Sequence, residues 1–230
     1  MDQLVTRQDV FNQGWLGQTP LPFRRSVLDR CMPEHFKAGT HVYSIGDEPG
    51  GIFGLVSGGL SVSIAPGERG PYIAHFAAPG TWFGEGSAIT RQPRRIGLTA
   101  TRDSDLLHLP LHAIDEIVRR DPSAWRLFAL VTIAHLDVAI GGSDDLMIRD
   151  HVQRFVAVLL RLGSCRRVSP EDGRAVEVDM NHEDLAYMAN IARTTAGVIL
   201  RKLEADGHLA LSYRRIKILA PDALRAMLRD

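Results

Sequence analysis

Six cations stand between Ile191 and Lys217: Arg193, Arg201, Lys202, Arg214, Arg215 and Lys217. Only Glu204 and Asp206 oppose them, a local balance of +4 in a chain whose 27 Lys and Arg equal its 27 Asp and Glu. A basic face on a neutral protein suits phosphate backbones, with specificity left to individual side chains. At helical spacing Arg193, Thr194, Gly197, Val198 and Arg201 share one side of a helix. The other side carries Ala196, Ile199, Leu200 and Leu203, an i, i+3, i+4, i+7 stripe that faces a core.

The elements that would position this face are legible in turn chemistry. Asn181 can cap a first helix, with Asp184 as a capping-box partner three residues on. Leu185, Ala186 and Met188 give that helix its apolar side, and Asn190 tolerates the left-handed backbone of a tight turn. A second helix runs from about Arg193 to Ala205 and ends at Gly207. Leu209–Ser212 and Ile216–Leu219 alternate as a hairpin around Tyr213, Arg214 and Arg215. Helix, turn, helix and cationic hairpin make a winged helix-turn-helix, which presents one helix to a DNA major groove. A helical hairpin that merely packs is the competing interpretation.

The rest of the chain reads as a separate domain. From Gly39 to about Leu109, short β-rich runs alternate with glycine-bearing turns: His41–Ser44, Ile52–Val56, Leu60–Ile64, Tyr72–Phe76, Leu98–Ala100 and Leu106–Leu109. Such spacing predicts an antiparallel sandwich or barrel. The first twenty residues read as a polar, partly ordered lead-in, followed by a short helix over Leu21 to Cys31. Leu111–Val118 is a further short helix. A long helix then extends to about Asp150, apolar on more than one side. At roughly 28 residues it would reach about 40 Å. Ile133, Leu136 and Ile140 stand at the spacing of a helix–helix seam. Gly141 and Gly142 interrupt it and predict either a break or a close approach. His151 to Leu162 is amphipathic, and Ser164–Gly173 is a polar loop. The expected divisions are a lead-in over 1–22, a β-domain over 23–120, the long helix over 121–150 and the winged domain over 151–230.

Other chemistries have less support. Cys31 and Cys165 are the only cysteines and have no metal-type spacing, which excludes a disulfide scaffold and a four-cysteine cluster. Arg166 and Arg167 beside Cys165 can lower its pKa or serve as plain surface charge. His75 on a β-run is the best axial haem ligand among nine histidines, but a lone strand histidine is usually structural, so haem is not expected. His41, His75 and His108 are scattered without a metalloenzyme motif, and no enzyme is expected. The N-terminus lacks a signal-type apolar core, and the run Leu127 to Leu136 is too short to span a bilayer. A cytoplasmic protein without a membrane role is the expectation.

Three segments together resemble the Crp/Fnr family of bacterial transcription regulators. Gly46-Asp47 to Phe53, then Val56-Ser57-Gly58-Gly59-Leu60, is similar to its first β-roll hairpin. Pro79-Gly80-Thr81-Trp82-Phe83-Gly84-Glu85, with Pro93-Arg94, resembles its phosphate-binding cassette. Asp184-Leu185-Ala186, Arg193-Thr194-Thr195 and Ile199 through Gly207 resemble its DNA-reading domain. The resemblance implies an α+β fold: an N-terminal antiparallel β-roll of jelly-roll-like type, a long dimerisation helix and a C-terminal winged helix-turn-helix. It implies a homodimer on palindromic double-stranded DNA that touches RNA polymerase, with Ile133, Leu136 and Ile140 in the dimer interface.

It also implies an effector site at Gly84, Glu85, Gly86, Ser87, Arg94 and Arg95, with Ala139 and Ile140 from the long helix. In members that bind cyclic AMP, the glutamate accepts from the ribose hydroxyl and the arginine pairs with the phosphate. Arg95 stands where the family usually has a small residue, and Ala139 and Ile140 cannot hydrogen-bond an adenine through their side chains. A cyclic nucleotide, another small effector and no effector all remain open, as does an internal Glu85–Arg94 ion pair that closes the roll. On the DNA side, Arg193 matches a family arginine that reads guanine, while Thr194 and Val198 replace polar readers and suit a thymine methyl. Thr195, Gly197, Arg201, Lys202, Tyr213, Arg214 and Arg215 complete the expected surface, the cations chiefly on phosphates. Ala192 replaces the usual serine cap, so Thr194 or Thr195 is expected to cap instead. The rival function is a small-molecule sensor that acts through protein contacts, its DNA-binding domain vestigial.

Overall fold

A computed structural model describes residues 10, 14–65, 67, 70–169, 175–213 and 215–229. The chain forms two compact units, Met1–Leu136 and Asp137–Asp230.

Unit 1 holds two four-stranded antiparallel sheets. Its strands are β1 (Met32–Phe36), β2 (His41–Tyr43), β3 (Gly51–Ser57), β4 (Leu60–Ile64), β5 (Tyr72–Ala77), β6 (Trp82–Phe83), β7 (Ile96–Ala100) and β8 (Ser104–Pro110). The sheet orders are β1-β8-β3-β6 and β2-β7-β4-β5. β3 is buried on both faces, so it reads as a continuous apolar run rather than an alternation. Phe53 and Leu55 join Tyr43, Leu60, Val62, Phe83, Leu98 and Leu106 in one core. Ile52 and Val56 point the other way, into a second core with Trp82, Ile114, Ile117 and Phe128.

That second core is built by helices α1 (Gly14–Gly17), α2 (Leu21–Leu28), α4 (Leu111–Arg120) and the start of α5 (Ala124–Met147); α3 is Glu85–Thr90. Here the structure corrects the expectation of a polar lead-in. Trp15 and Leu16 are buried, the Trp15 ring packs on Phe23, Trp82 and Phe128, and its Nε1 donates to the Leu127 carbonyl at 2.6 Å. Besides α1, two strands and one further helix were not expected in this unit. β1 contains Pro33 and lacks alternation because it is an edge strand, paired only with β8. β6 and α3 are too short for a periodic signal.

The long helix α5 has 24 residues, about 36 Å. It runs uninterrupted through Gly141 and Gly142, so of the alternatives weighed for them the break does not occur. By length and composition this helix could cross a membrane, which the shorter apolar run within it could not. Leu130, Ile133, Leu136, Ile140, Leu146 and Met147 along it are exposed.

Unit 2 continues with α6 (His151–Leu162), β9 (Val176–Val178), α7 (His182–Met188), α8 (Arg193–Ala205), β10 (Leu209–Ser212), β11 (Arg215–Ile218) and α9 (Pro221–Ala226). The three strands form an antiparallel sheet in the order β10-β11-β9. β9, a three-residue strand at the edge of that sheet, was not expected. Its pairing partner β11 lies some forty residues downstream, so only tertiary structure reveals it. The mixed α+β architecture and its helix-turn-helix order match expectation.

Candidate effector site and nucleic-acid interface

Arg94 is the centre of the candidate effector site. Its side chain folds inward and is 4% exposed. Nη1 donates to the Gly84 carbonyl at 3.2 Å and Nη2 to the Gly51 carbonyl at 2.9 Å. The guanidinium lies 4.2 Å from the centre of the Tyr43 ring, a cation–π contact. Gly84 must be glycine: its φ is 102°, and a Cβ would fall 2.5 Å from Arg94 Nη1. Among the described residues Arg94 makes no ion pair, and its buried Nε has no hydrogen-bond partner. The Glu85–Arg94 ion pair weighed above is therefore absent. Burial lowers the Arg94 pKa, while Tyr43, Asp47 and Glu85 oppose the shift. Burial also raises the Tyr43 phenol well above its usual range.

The carboxylate of Glu85 has another partner. His135 Nδ1 donates to Glu85 Oε1 at 2.9 Å, and the imidazole stacks on Phe83, centroids 4.9 Å apart. Helix α5 thus meets the cassette through His135, one turn before Ala139. Nearby, His108 stacks on Phe53 at 4.2 Å and engages Glu34 through Nδ1 at 2.8 Å and the Gly50 carbonyl through Nε2 at 2.7 Å. This bond holds the residue next to Gly51, the acceptor of Arg94.

The structure brings Gly84, Glu85, Ser87 and Arg94 together as buried groups, whereas Gly86 and Arg95 are exposed. Ala139 and Ile140 are exposed on α5 within unit 2. Sequence reading missed His135, Tyr43 and His108. A histidine on the apolar α5 was the one available signal for the first.

In unit 2 the turns form as their chemistry predicts. Asn181 Oδ1 accepts from the Asp184 amide at 2.7 Å, and its Nδ2 donates to Asp184 Oδ2 at 2.7 Å. Asn190 has φ 51°. The Ile191 amide reaches the Ala186 carbonyl at 3.0 Å and Asn190 that of Tyr187 at 3.0 Å, closing α7 in a Schellman motif. Helix α8 ends in the same motif at Gly207, with His208 bonded to Leu203 and Gly207 to Glu204, both at 2.9 Å. The start of α8 differs: no side chain caps it, so neither Thr194 nor Thr195 takes the role left by Ala192.

Arg193, Thr194, Val198, Arg201 and Lys202 are exposed; Thr195 and Gly197 are half-buried at the same face. Arg193 lies 3.7 Å from Glu183, an exposed pair. Tyr213 is fully in solvent at the hairpin tip, and Arg214 lies outside the described residues. Arg215 begins β11 rather than the tip and pairs with Asp179 at 3.0 Å and Glu177 at 3.2 Å. Neither cysteine is activated. Burial pushes the Cys31 thiol up to about 12 and raises Cys165 despite nearby Arg225. The alternative of an activating arginine pair at Cys165 is overturned, since Arg166 is engaged with Asp145.

Comparison with known proteins agrees with this architecture. Residues 33–121 match the family model of the cyclic nucleotide-binding domain, and residues 153–227 match that of the Crp-like helix-turn-helix domain. No curated protein sequence matches the chain. Among solved structures, FixK2 of Bradyrhizobium japonicum is similar at TM-score 0.68 and 17% identity, over 85% of this chain and 96% of that one. A transcriptional regulator of the CRP/FNR family from Thermus thermophilus is similar at TM-score 0.65 and 22% identity, over 86% of this chain and 99% of that one. The c-di-GMP responsive global regulator CLP of Xanthomonas campestris is similar at TM-score 0.64 and 18% identity, over 86% and 99%. With a cyclic nucleotide-binding domain ahead of a Crp-like helix-turn-helix, the chain belongs to the Crp/Fnr family of transcription regulators.

Proposed function

We propose that the protein is a cytoplasmic homodimer that binds palindromic DNA sequence-specifically and whose DNA affinity answers to an anionic effector at Arg94. The observation that carries the DNA half is the exposed face of α8, where Arg193, Thr194, Val198 and Arg201 stand free of the core. Arg193 reads guanine, Thr194 and Val198 meet thymine methyls, and Arg201, Lys202 and the hairpin cations contact phosphate. The exposed apolar stripe of Ile133, Leu136 and Ile140 supports pairing of two α5 helices.

The effector half rests on the buried guanidinium, which has no acid partner among the described residues. A phosphate oxygen would satisfy Arg94 Nε, and Tyr43 and the two carbonyls already fix the fork. Glu85 and His135 stand beside it as the groups that would accept from and donate to a ribose or its analogue. The departures at Arg95, Ala139 and Ile140 leave the base unassigned. CLP is described as c-di-GMP responsive, so both cyclic AMP and c-di-GMP belong in the test.

One observation favours the rival interpretation, a sensor with a weak DNA-binding domain: Glu183 pairs with Arg193, and Glu177 and Asp179 neutralise Arg215. Binding of the purified protein to genomic fragments, with each nucleotide and across a salt series, decides between them. The expected outcome is recovery of inverted repeats, with affinity falling steeply as salt rises. A flat salt dependence would sink the regulator.

A further inference from the structure

Charged side chains fasten the end of the long helix to the DNA-reading unit. Asp145, in the last turn of α5, is 1% exposed. Its Oδ2 accepts from Arg161 Nε at 2.7 Å and its Oδ1 from Arg166 Nε at 3.2 Å. Arg161 lies on α6, and its stem runs beside Gly141 and Gly142, where an added Cβ would sit 3.5 Å from Cδ and 3.7 Å from the guanidinium.

The turn that follows is held as firmly. Asp150 Oδ1 accepts from the amides of Val152 at 2.9 Å and Gln153 at 2.8 Å, capping α6. Arg154 Nη1 donates to the Ile148 carbonyl at 2.7 Å and that of Arg149 at 3.2 Å. Its Nε donates to the Ala189 carbonyl at 2.7 Å, at the end of α7 beside the helix-turn-helix turn. Side-chain bonds on α6 therefore link the end of α5 to the end of α7.

Apolar packing tolerates small slides, but a buried carboxylate shared by two guanidiniums is satisfied in few geometries. Neither the effector cassette nor the base-reading face uses these groups; what they fix is an angle. In a two-fold dimer joined along α5, that angle sets the separation of the two recognition helices. DNA matches that separation only at about 34–36 Å or its multiples.

We propose that Asp145 is a positioning residue which, with Arg161 and Arg154, joins the end of the long helix and the helix-turn-helix into one rigid piece and so fixes the half-site spacing of the operator. The inference rests on the dimeric DNA-binding function proposed above.

The test selects DNA with the full-length protein from a library of random duplexes and sequences what is bound. Wild type is expected to recover inverted repeats at one sharp spacing. Asp145→Asn and Arg154→Lys should recover the same half-site with the spacing spread by a base pair or more. Their affinity for the wild-type repeat should fall about tenfold. Arg166→Ala, which keeps the Arg161 bond, serves if Asp145→Asn does not fold. Variants that melt earlier yet keep the wild-type spacing and affinity overturn the positioning role and leave DNA binding intact. A wild-type protein that recovers no repeat overturns both.

Discussion

Arg94 and Arg193 are the same side chain under opposite conditions. Arg94 is buried between two carbonyls and a tyrosine ring, with no carboxylate paired to it among the described residues. Arg193 stands in water beside Glu183, an exposed ion pair of little net worth. A buried cation held by neutral groups is matched to one discrete anion, and low local polarity makes the match strong. An exposed cation among several suits a polyanion, and its contribution is screened by salt. In the proposed function, arginine thus serves as a lock in unit 1 and as a landing surface in unit 2.

The strongest test of the contrast is Arg94→Ala. It leaves the Gly51 and Gly84 carbonyls without their donor, and each buried orphan costs about 1–3 kcal/mol. The sensor unit should melt several degrees lower, and any nucleotide binding detected by calorimetry should vanish. Arg94→Lys should not rescue it, because one ammonium cannot span both carbonyls as the planar fork does. A variant that still binds nucleotide with wild-type affinity breaks the contrast.

Arg193→Ala probes the other side, with a smaller effect. The loss at the selected site should be about 1–3 kcal/mol, with discrimination relaxed at one base position and little change in melting. An equal loss on every sequence would make Arg193 a phosphate contact only.

The smallest effect is at Cys31, a half-buried neutral thiol to set against the buried charge. Desolvation pushes its thiol up to about 12, from an ordinary value near 9.0. The unfolded thiol therefore gives up its proton first as pH rises. The stabilisation is complete below pH 9 and is lost between there and about 12. A urea-denaturation series from pH 7 to 10.5 should show stability beginning to fall near 9, less so in Cys31→Ala. Thiol modification of the folded protein at pH 8 as fast as that of the unfolded chain would contradict the raised pKa.

Local chemistry was legible wherever the backbone itself carries the signal. Asn181, Asn190 and Gly207 announced cap and turns because each residue type favours that backbone conformation or capping role in almost any context. Apart from the two-residue β6, the strands from His41 to Leu109 were visible as short apolar runs between glycine turns. β1 escaped because an edge strand with Pro33 has no alternation to read. The lead-in was misread because Trp15 is one aromatic in a polar stretch, and only the Phe23, Trp82 and Phe128 rings around it make it core.

By itself the sequence determined the α+β class, the order and cationic character of the helix-turn-helix, and the closely spaced Gly84, Glu85 and Arg94 of the candidate effector site. Those properties are local, or lie in residue types within a few positions of one another. Only the tertiary structure decided which partner each charge would have. Glu85 meets His135 rather than Arg94, Arg94 finds Tyr43, and Asp145 meets Arg161 and Arg166. Glu85 and His135 lie fifty residues apart, and Arg94 and Tyr43 just as far. Pairing at such separations is set by how helices and sheets pack, and no sequence period encodes it.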